Sequence, residues 1–172
     1  KNDSGKEVPL GEVGRIWVRG PRCSSGYYKD PDATAKKWEK DGWGTIGDRG
    51  RIDENGILFV TGRGDDMIIR GGQNIQPAEV ENLLLSHPRV KEAAVVGVTD
   101  PLMGEKACAC IVPRAGENLS FEEMITFLKG KHLAPYKLPE KLLLFDALPY
   151  VSGLKLDRKK LREIAIEKLN LI

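Results

Sequence analysis

Cysteine is scarce in this sequence: it occurs three times, at Cys23, Cys108 and Cys110. An odd count without regular spacing excludes the disulfide framework that staples small secreted domains, and suits the cytosol. Histidine is scarcer still, with two residues in the whole chain. The Cys-x-Cys of "EKACACIVP" therefore lacks the companions a zinc site needs. Strand alternation instead turns both thiols the same way, as two small buried apolar groups. No apolar run approaches the ~20 residues of a transmembrane segment. The opening "KNDSGKEVPLG" has no signal-peptide apolar core. A large charge of one sign is missing too. With 27 basic and 25 acidic side chains the formal net charge is +2, so nothing calls for nucleic acid or an anionic membrane as an obligate partner.

What is present describes a globular chain: 41% hydrophobic and 30% charged over 172 residues. That suits one ordinary domain, or a small domain with a piece of another. The first third reads as short strands and turns. "GRIWVRG" and "GILFVTG" are β-branched and aromatic runs bounded by glycine, and "DENG" is a turn. "KDPDATAKKWEKDGW" predicts a short helix capped by Asp30 with Pro31 in its first turn. This third has too little apolar mass to be a finished domain. From residue 66 the pattern changes. "DMIIRGGQNI" is a hairpin signal, and "PAEVENLLLSHP" a helix with Val80, Leu83 and Leu84 at helical spacing. "VKEAAVVGV", "EKACACIVP" and "KLLLFDAL" are strands. "SFEEMITFLKG" carries a Ser120/Glu123 capping box and an inward face of Phe121, Met124, Ile125 and Leu128. "LDRKKLREIAIEKLN" is a last amphipathic helix. The expected class is α+β: a small C-terminal domain with a three-stranded sheet, helices and a hairpin, after a β-rich remnant of a larger domain. The boundary falls in the polar turn Arg63–Asp66.

Several residues near that boundary carry chemistry. Asp48, in "IGDRG", is read as lying in a turn whose glycines admit a ligand to the backbone. A carboxylate there accepts from two ribose hydroxyls, or simply caps the turn. Arg63 donates to the same sugar or to a phosphate, or is a surface arginine. Lys155, in "LPYVSGLKLDR", is a point charge on a loop: a surface lysine, or a partner for phosphate and carboxylate oxygens. His87 ends a helix, where the macrodipole favours it, and is a weak candidate metal ligand.

The run "GWGTIGDRGRIDENGILFVTGRGDDMIIRGGQNIQPAEVE" resembles the adenylate-forming ligase superfamily of acyl-CoA synthetases, peptide-synthetase adenylation domains and luciferases. "HPRVKEAAVVGVTD", "LAPYKLPEKLLLFDALP" and "GLKLDRKKLRE" follow in the same family order. The resemblance implies a C-terminal portion: residues 1–64 from the end of the large AMP-binding domain, a hinge at 65–66, and residues 67–172 as the small mobile domain. It implies that Asp48 and Arg63 hold the ribose, Asp65 is the pivot, Gly71 and Gly72 line the path of a pantetheine thiol, Asn74 meets phosphate, and Lys155 reaches the carboxylate and α-phosphate. His87 matches a histidine near magnesium in some relatives. Ile46 stands where relatives usually have threonine, and Leu154 separates Gly153 from Lys155 where relatives often have glycine directly before the lysine. The family's phosphate loop and its Tyr-Gly-x-Thr-Glu stretch are absent from these residues. The implied activity is that of an ATP-dependent acid–thiol ligase acting on a fatty or aromatic acid, cytoplasmic, with ATP, Mg²⁺ and coenzyme A as its small molecules. A carrier-protein pantetheine is the alternative acceptor, and a non-catalytic binding module the alternative class. The missing N-terminal domain is a partner, and the 172 residues alone are expected to be inactive.

Overall fold

The computed structural model describes residues 1–2, 5–152 and 155–171, the Ile46 side chain excepted. Gly153 and Leu154, whose spacing before Lys155 departs from the family pattern, lie outside the described residues. The chain divides into two compact units, Lys1–Asp65 and Asp66–Ile172.

The first unit is a three-stranded antiparallel sheet in the order β1 (Gly14–Val18), β2 (Gly44–Ile52), β3 (Leu58–Arg63), with one short helix, α1 (Pro31–Lys37). The helix starts where a proline at its first turn and a capping carboxylate place it: Asp30 accepts from the Ala33 N–H at 2.9 Å. "IGDRG" is not a turn, against expectation. It lies inside the nine-residue strand β2. Gly47 takes φ +87°, and the register shifts against β3 between Arg49 and Gly50 and against β1 between Arg15 and Trp17. Glycines inside a strand here absorb a bulge rather than reverse the chain. Gly50 is required sterically, since a Cβ there would stand 2.6 Å from the Phe59 carbonyl oxygen. Among the described residues this unit buries no large apolar side chain; its buried positions are glycines, Thr45 and Arg49. Leu58, Phe59 and Val60 are all exposed.

The second unit is layered. A hairpin of β4 (Ile68–Arg70) and β5 (Gln73–Ile75) precedes α2 (Pro77–Leu85), β6 (Val90–Asp100), β7 (Gly104–Pro113), α3 (Phe121–Gly130), β8 (Lys141–Leu144), a two-residue pair β9 (Tyr150–Val151) and β10 (Lys155–Leu156), and α4 (Arg158–Lys168). The expected hairpin and three strands form a single five-stranded sheet. Its order is β5-β4-β7-β6, with β8 running parallel to β7. Strand alternation feeds two cores. Ala107, Ala109 and Ile111 of β7 pack with Val80 and Leu84 of α2 and Met124 and Leu128 of α3. Cys108, Cys110 and Val112 pack on the opposite face with Leu161 and Ala165 of α4. With both faces covered, β6 and β7 read as almost continuous apolar runs. Both thiols of the Cys-x-Cys are buried on the α4 side. Ser120 and Glu123 form the capping box that starts α3. Phe121, next to that cap, stays 37% exposed rather than turning inward.

Candidate functional site

In the first unit the β2–β3 ladder sets Asp48 directly opposite Arg63. Their charged groups stand 3.9 Å apart, with the Asp48 side chain 28% and that of Arg63 48% exposed. This is an ion pair rather than a hydrogen bond. The carboxylate keeps acceptor capacity toward a solvent-side ligand, including a pair of vicinal hydroxyls. Gly47 supplies the room. A Cβ at that residue would have Lys37 Nζ, Arg63 Nη2 and Asp65 Oδ2 within 3.6–3.9 Å, so two cations and a carboxylate converge where Gly47 has no side chain. Asp65 itself is exposed, in the three-residue 3₁₀ turn Gly64–Asp66 that follows β3.

Gly71 and Gly72 are the two central residues of the β4–β5 hairpin, with φ +54° and +81°. Two consecutive positive φ values define a type I′ turn, whose twist matches its strands and which strongly favours glycine at the second position. Added at Gly72, a Cβ would meet nothing within 4 Å; at Gly71 it would meet the Met103 side chain at 3.1 Å. Backbone conformation alone thus accounts for Gly72, and the turn presents a surface free of side chains. It is well braced. The Gly71 N–H donates to the Met103 carbonyl at 2.8 Å, and Arg70 makes a two-pronged pair with Glu140 at 2.8 and 3.0 Å. Asp100 fixes the turn that carries Met103. Its carboxyl is held down to about 2 by Lys106 first, then by the Met103 and Leu102 N–H groups. Asn74 is exposed on β5, opposite Ile69.

Lys155 stands on a different hairpin. It is exposed, in register with Val151, and its neighbour Leu156 pairs with Tyr150. Two residues on, Asp157 caps α4 by accepting from the Lys160 N–H at 2.9 Å. Arg158 then reaches into the unit. Nη1 and Nη2 each donate at 2.8 Å to the two oxygens of Glu81, and Nη1 also donates to the Val95 carbonyl at 3.2 Å. Nε lies 3.3 Å from Asp66. Burial opposes the charge on Arg158, but Glu81 and Asp66 more than offset it and raise its pKa. Sequence reading missed Glu81, Arg158, Tyr150 and Glu92. One signal was available: Pro77, Val80, Glu81 and Leu84 are the buried residues of α2, a stripe at i, i+3, i+4 and i+7, so a carboxylate occupies a core position.

His87 lies apart from these groups, 8% exposed after the end of α2. Its Nδ1 accepts from the Arg89 N–H at 3.2 Å, and its ring packs edge-on to Phe127 at 4.6 Å. Burial, then the Arg89 charge, lowers its pKa below the ordinary 6.5, with Glu123 opposing. The unfolded chain therefore binds this proton at higher pH than the folded one. The stabilising effect of a neutral His87 is complete above about 6.5 and is lost as pH falls from there toward the folded value. Between pH 7.5 and 5.5 the wild-type unfolding midpoint should drop more than that of His87→Asn; parallel curves would contradict this. Among the described residues, no group of three or more His, Cys, Asp and Glu side chains is placed to hold a metal ion. No helix there is long and apolar enough to cross a membrane.

Residues 79–152 match the AMP-binding enzyme C-terminal domain. The medium-chain fatty-acid–CoA ligase of Escherichia coli (strain K12) is 38% identical over 169 residues, which are 98% of this chain and 30% of that protein. The 2-succinylbenzoate–CoA ligase of Geobacillus sp. (strain WCH70) is 42% identical over 153 residues, 89% of this chain and 31% of that protein. ATP-bound MatB from Rhodopseudomonas palustris is similar in structure with a TM-score of 0.89 at 35% identity, over 98% of this chain and 33% of that one. The chain spans about a third of the length of the proteins it matches.

Proposed function

Because this chain belongs to the AMP-binding, adenylate-forming ligases and carries their C-terminal domain, we propose that it is the C-terminal part of an ATP-dependent acid–thiol ligase. The observation that carries this reading is a 38% identity to an acyl-CoA ligase that runs through both units, over 98% of the chain. In the first half-reaction a carboxylate oxygen attacks the α-phosphorus of ATP, pyrophosphate leaves, and an acyl-adenylate forms. In the second, a thiol attacks the acyl carbon, AMP leaves, and a thioester forms. Asp48 and Arg63 serve the ribose; their placement directly opposite each other on the β2–β3 ladder supports that assignment. Asn74, exposed on β5, is assigned a phosphate contact. Lys155 supplies positive charge to the carboxylate and α-phosphate oxygens. Asp65 is the pivot about which residues 67–172 turn between the two steps, exchanging Lys155 for the Gly71–Gly72 turn, whose bare backbone admits a narrow pantetheine chain. Mg²⁺, which would be held chiefly by the nucleotide's phosphates, would neutralise charge there; His87, largely buried, is the weak candidate beside it.

Coenzyme A is the proposed acceptor, supported by the names of both curated relatives, and a fatty or aromatic acid the proposed substrate. A cytoplasmic setting is supported by three free cysteines. The complete protein should release pyrophosphate only when a carboxylate is supplied, and form a thioester only when coenzyme A is added. The isolated 172 residues should do neither. Carboxylate-dependent pyrophosphate release by the purified 172-residue chain would defeat the reading that its nucleotide site is incomplete.

A further inference from the structure

We propose that Tyr150 and Glu92 are positioning residues for Lys155. The inference rests on the role given to Lys155 above. A ladder of two residues per strand does not hold its own orientation in water. The β9–β10 pair must therefore take its pose from what it touches. Among the described residues, three attachments are visible. Leu148 and Leu156 enter the core cluster beneath α4. The Asp157 N–H donates to the Pro149 carbonyl at 2.9 Å, closing the base of the hairpin. The Tyr150 hydroxyl donates to Glu92 Oε2 at 2.8 Å, tying the hairpin to the long strand β6. The first two fix where the hairpin is rooted. The third fixes its tilt, because Tyr150 faces Leu156, the residue next to Lys155.

Apolar burial does not explain Tyr150, which is 46% exposed. Its hydroxyl has a charged partner, and that carboxylate raises the phenol's pKa. Glu92 is half-buried, also lies 3.4 Å from Lys91 Nζ, and stands 58 residues from Tyr150 in sequence. A hydrogen bond to a charged group is among the stronger kinds. A lysine that must meet a phosphate and a carboxylate together is sensitive to small displacements; about 1 Å can cost on the order of 100-fold in rate.

The test uses the full-length enzyme with the two half-reactions assayed separately. Tyr150→Phe keeps the ring and removes the hydroxyl. It should lower the adenylation rate about tenfold while thioester formation from supplied acyl-adenylate stays within about twofold. Glu92→Ala should match it, the double variant should be no slower than either single, and Glu92→Gln, which keeps an acceptor, should restore most of the rate. In a Lys155→Ala background Tyr150→Phe should add nothing. If Lys155→Ala itself spares adenylation, the role of Lys155 is wrong and the brace has nothing to position. If Lys155→Ala cripples adenylation but Tyr150→Phe does not, or slows both half-reactions alike, the positioning role alone is overturned.

Discussion

Replacing Lys155 by alanine in the complete enzyme should lower carboxylate-dependent pyrophosphate release by about 100- to 1000-fold, the usual cost of removing one preorganised charge from a developing oxyanion. Thioester formation from a supplied acyl-adenylate should be nearly unchanged. The asymmetry follows from placement. Lys155 is exposed on β10, outside both core clusters, so truncation opens no cavity and should disturb folding little. Its contribution is electrostatic, and in the proposed cycle it is made only while charge develops on the α-phosphate. Lys155→Arg should recover part of the loss, because the charge returns with a different shape and reach. Quench-flow measurement of each half-reaction decides the matter: an equal fall in both would remove Lys155 from the adenylation step.

Local chemistry made much of this fold readable. Asp30, Ser120 and Asp157 each precede a helix and each accept a first-turn N–H, because a capping oxygen satisfies donors that no other local group can reach. Pro77 opens α2 in another way: no side chain caps that helix, and proline brings no N–H that would need a partner in the first turn. The I′ turn at Gly71–Gly72 was legible as a hairpin because few residues besides glycine tolerate its φ values. The bulged strand through Gly47 and Asp48 was not, since a glycine beside an aspartate signals reversal and bulge alike, and only the pairing of β2 with both β1 and β3 decides between them. Long-range polar contacts were the least legible. Arg158 and Glu81 lie 77 residues apart; Arg158 sits in a charged stretch that reads as a solvated helix face, and the core position of Glu81 does not name its partner. The topology that places the start of α4 beside α2 and β6 is what brings them together.

That pair carries the largest expected effect on stability. Glu81 is 8% exposed. Its two oxygens take both Arg158 donors, and Oε1 also accepts from the Val95 N–H at 2.7 Å. Glu81→Ala would leave a largely buried guanidinium with only Asp66 and one carbonyl, and would orphan a strand N–H at the centre of β6. Breaking one side of a buried ion pair costs about 3–5 kcal/mol, mostly for the charge left behind. Replacing both partners by apolar residues, as in Glu81→Leu with Arg158→Met, removes that charge. It should recover most of the loss, short of the unsatisfied Val95 N–H. Amide exchange at Val95 and Val96 in the full chain reads the local opening energy directly. A fall below about 1 kcal/mol in Glu81→Ala, or a double variant weaker than the single, would show that the pair does not hold α4 to the sheet. The same helix begins three residues after Lys155, and Asp66, next to the proposed pivot, is also paired with Arg158. Loosening Arg158 therefore frees the base of the Lys155 hairpin and the first residue of the second unit together, so Glu81→Ala should slow adenylation even at temperatures where the chain remains folded.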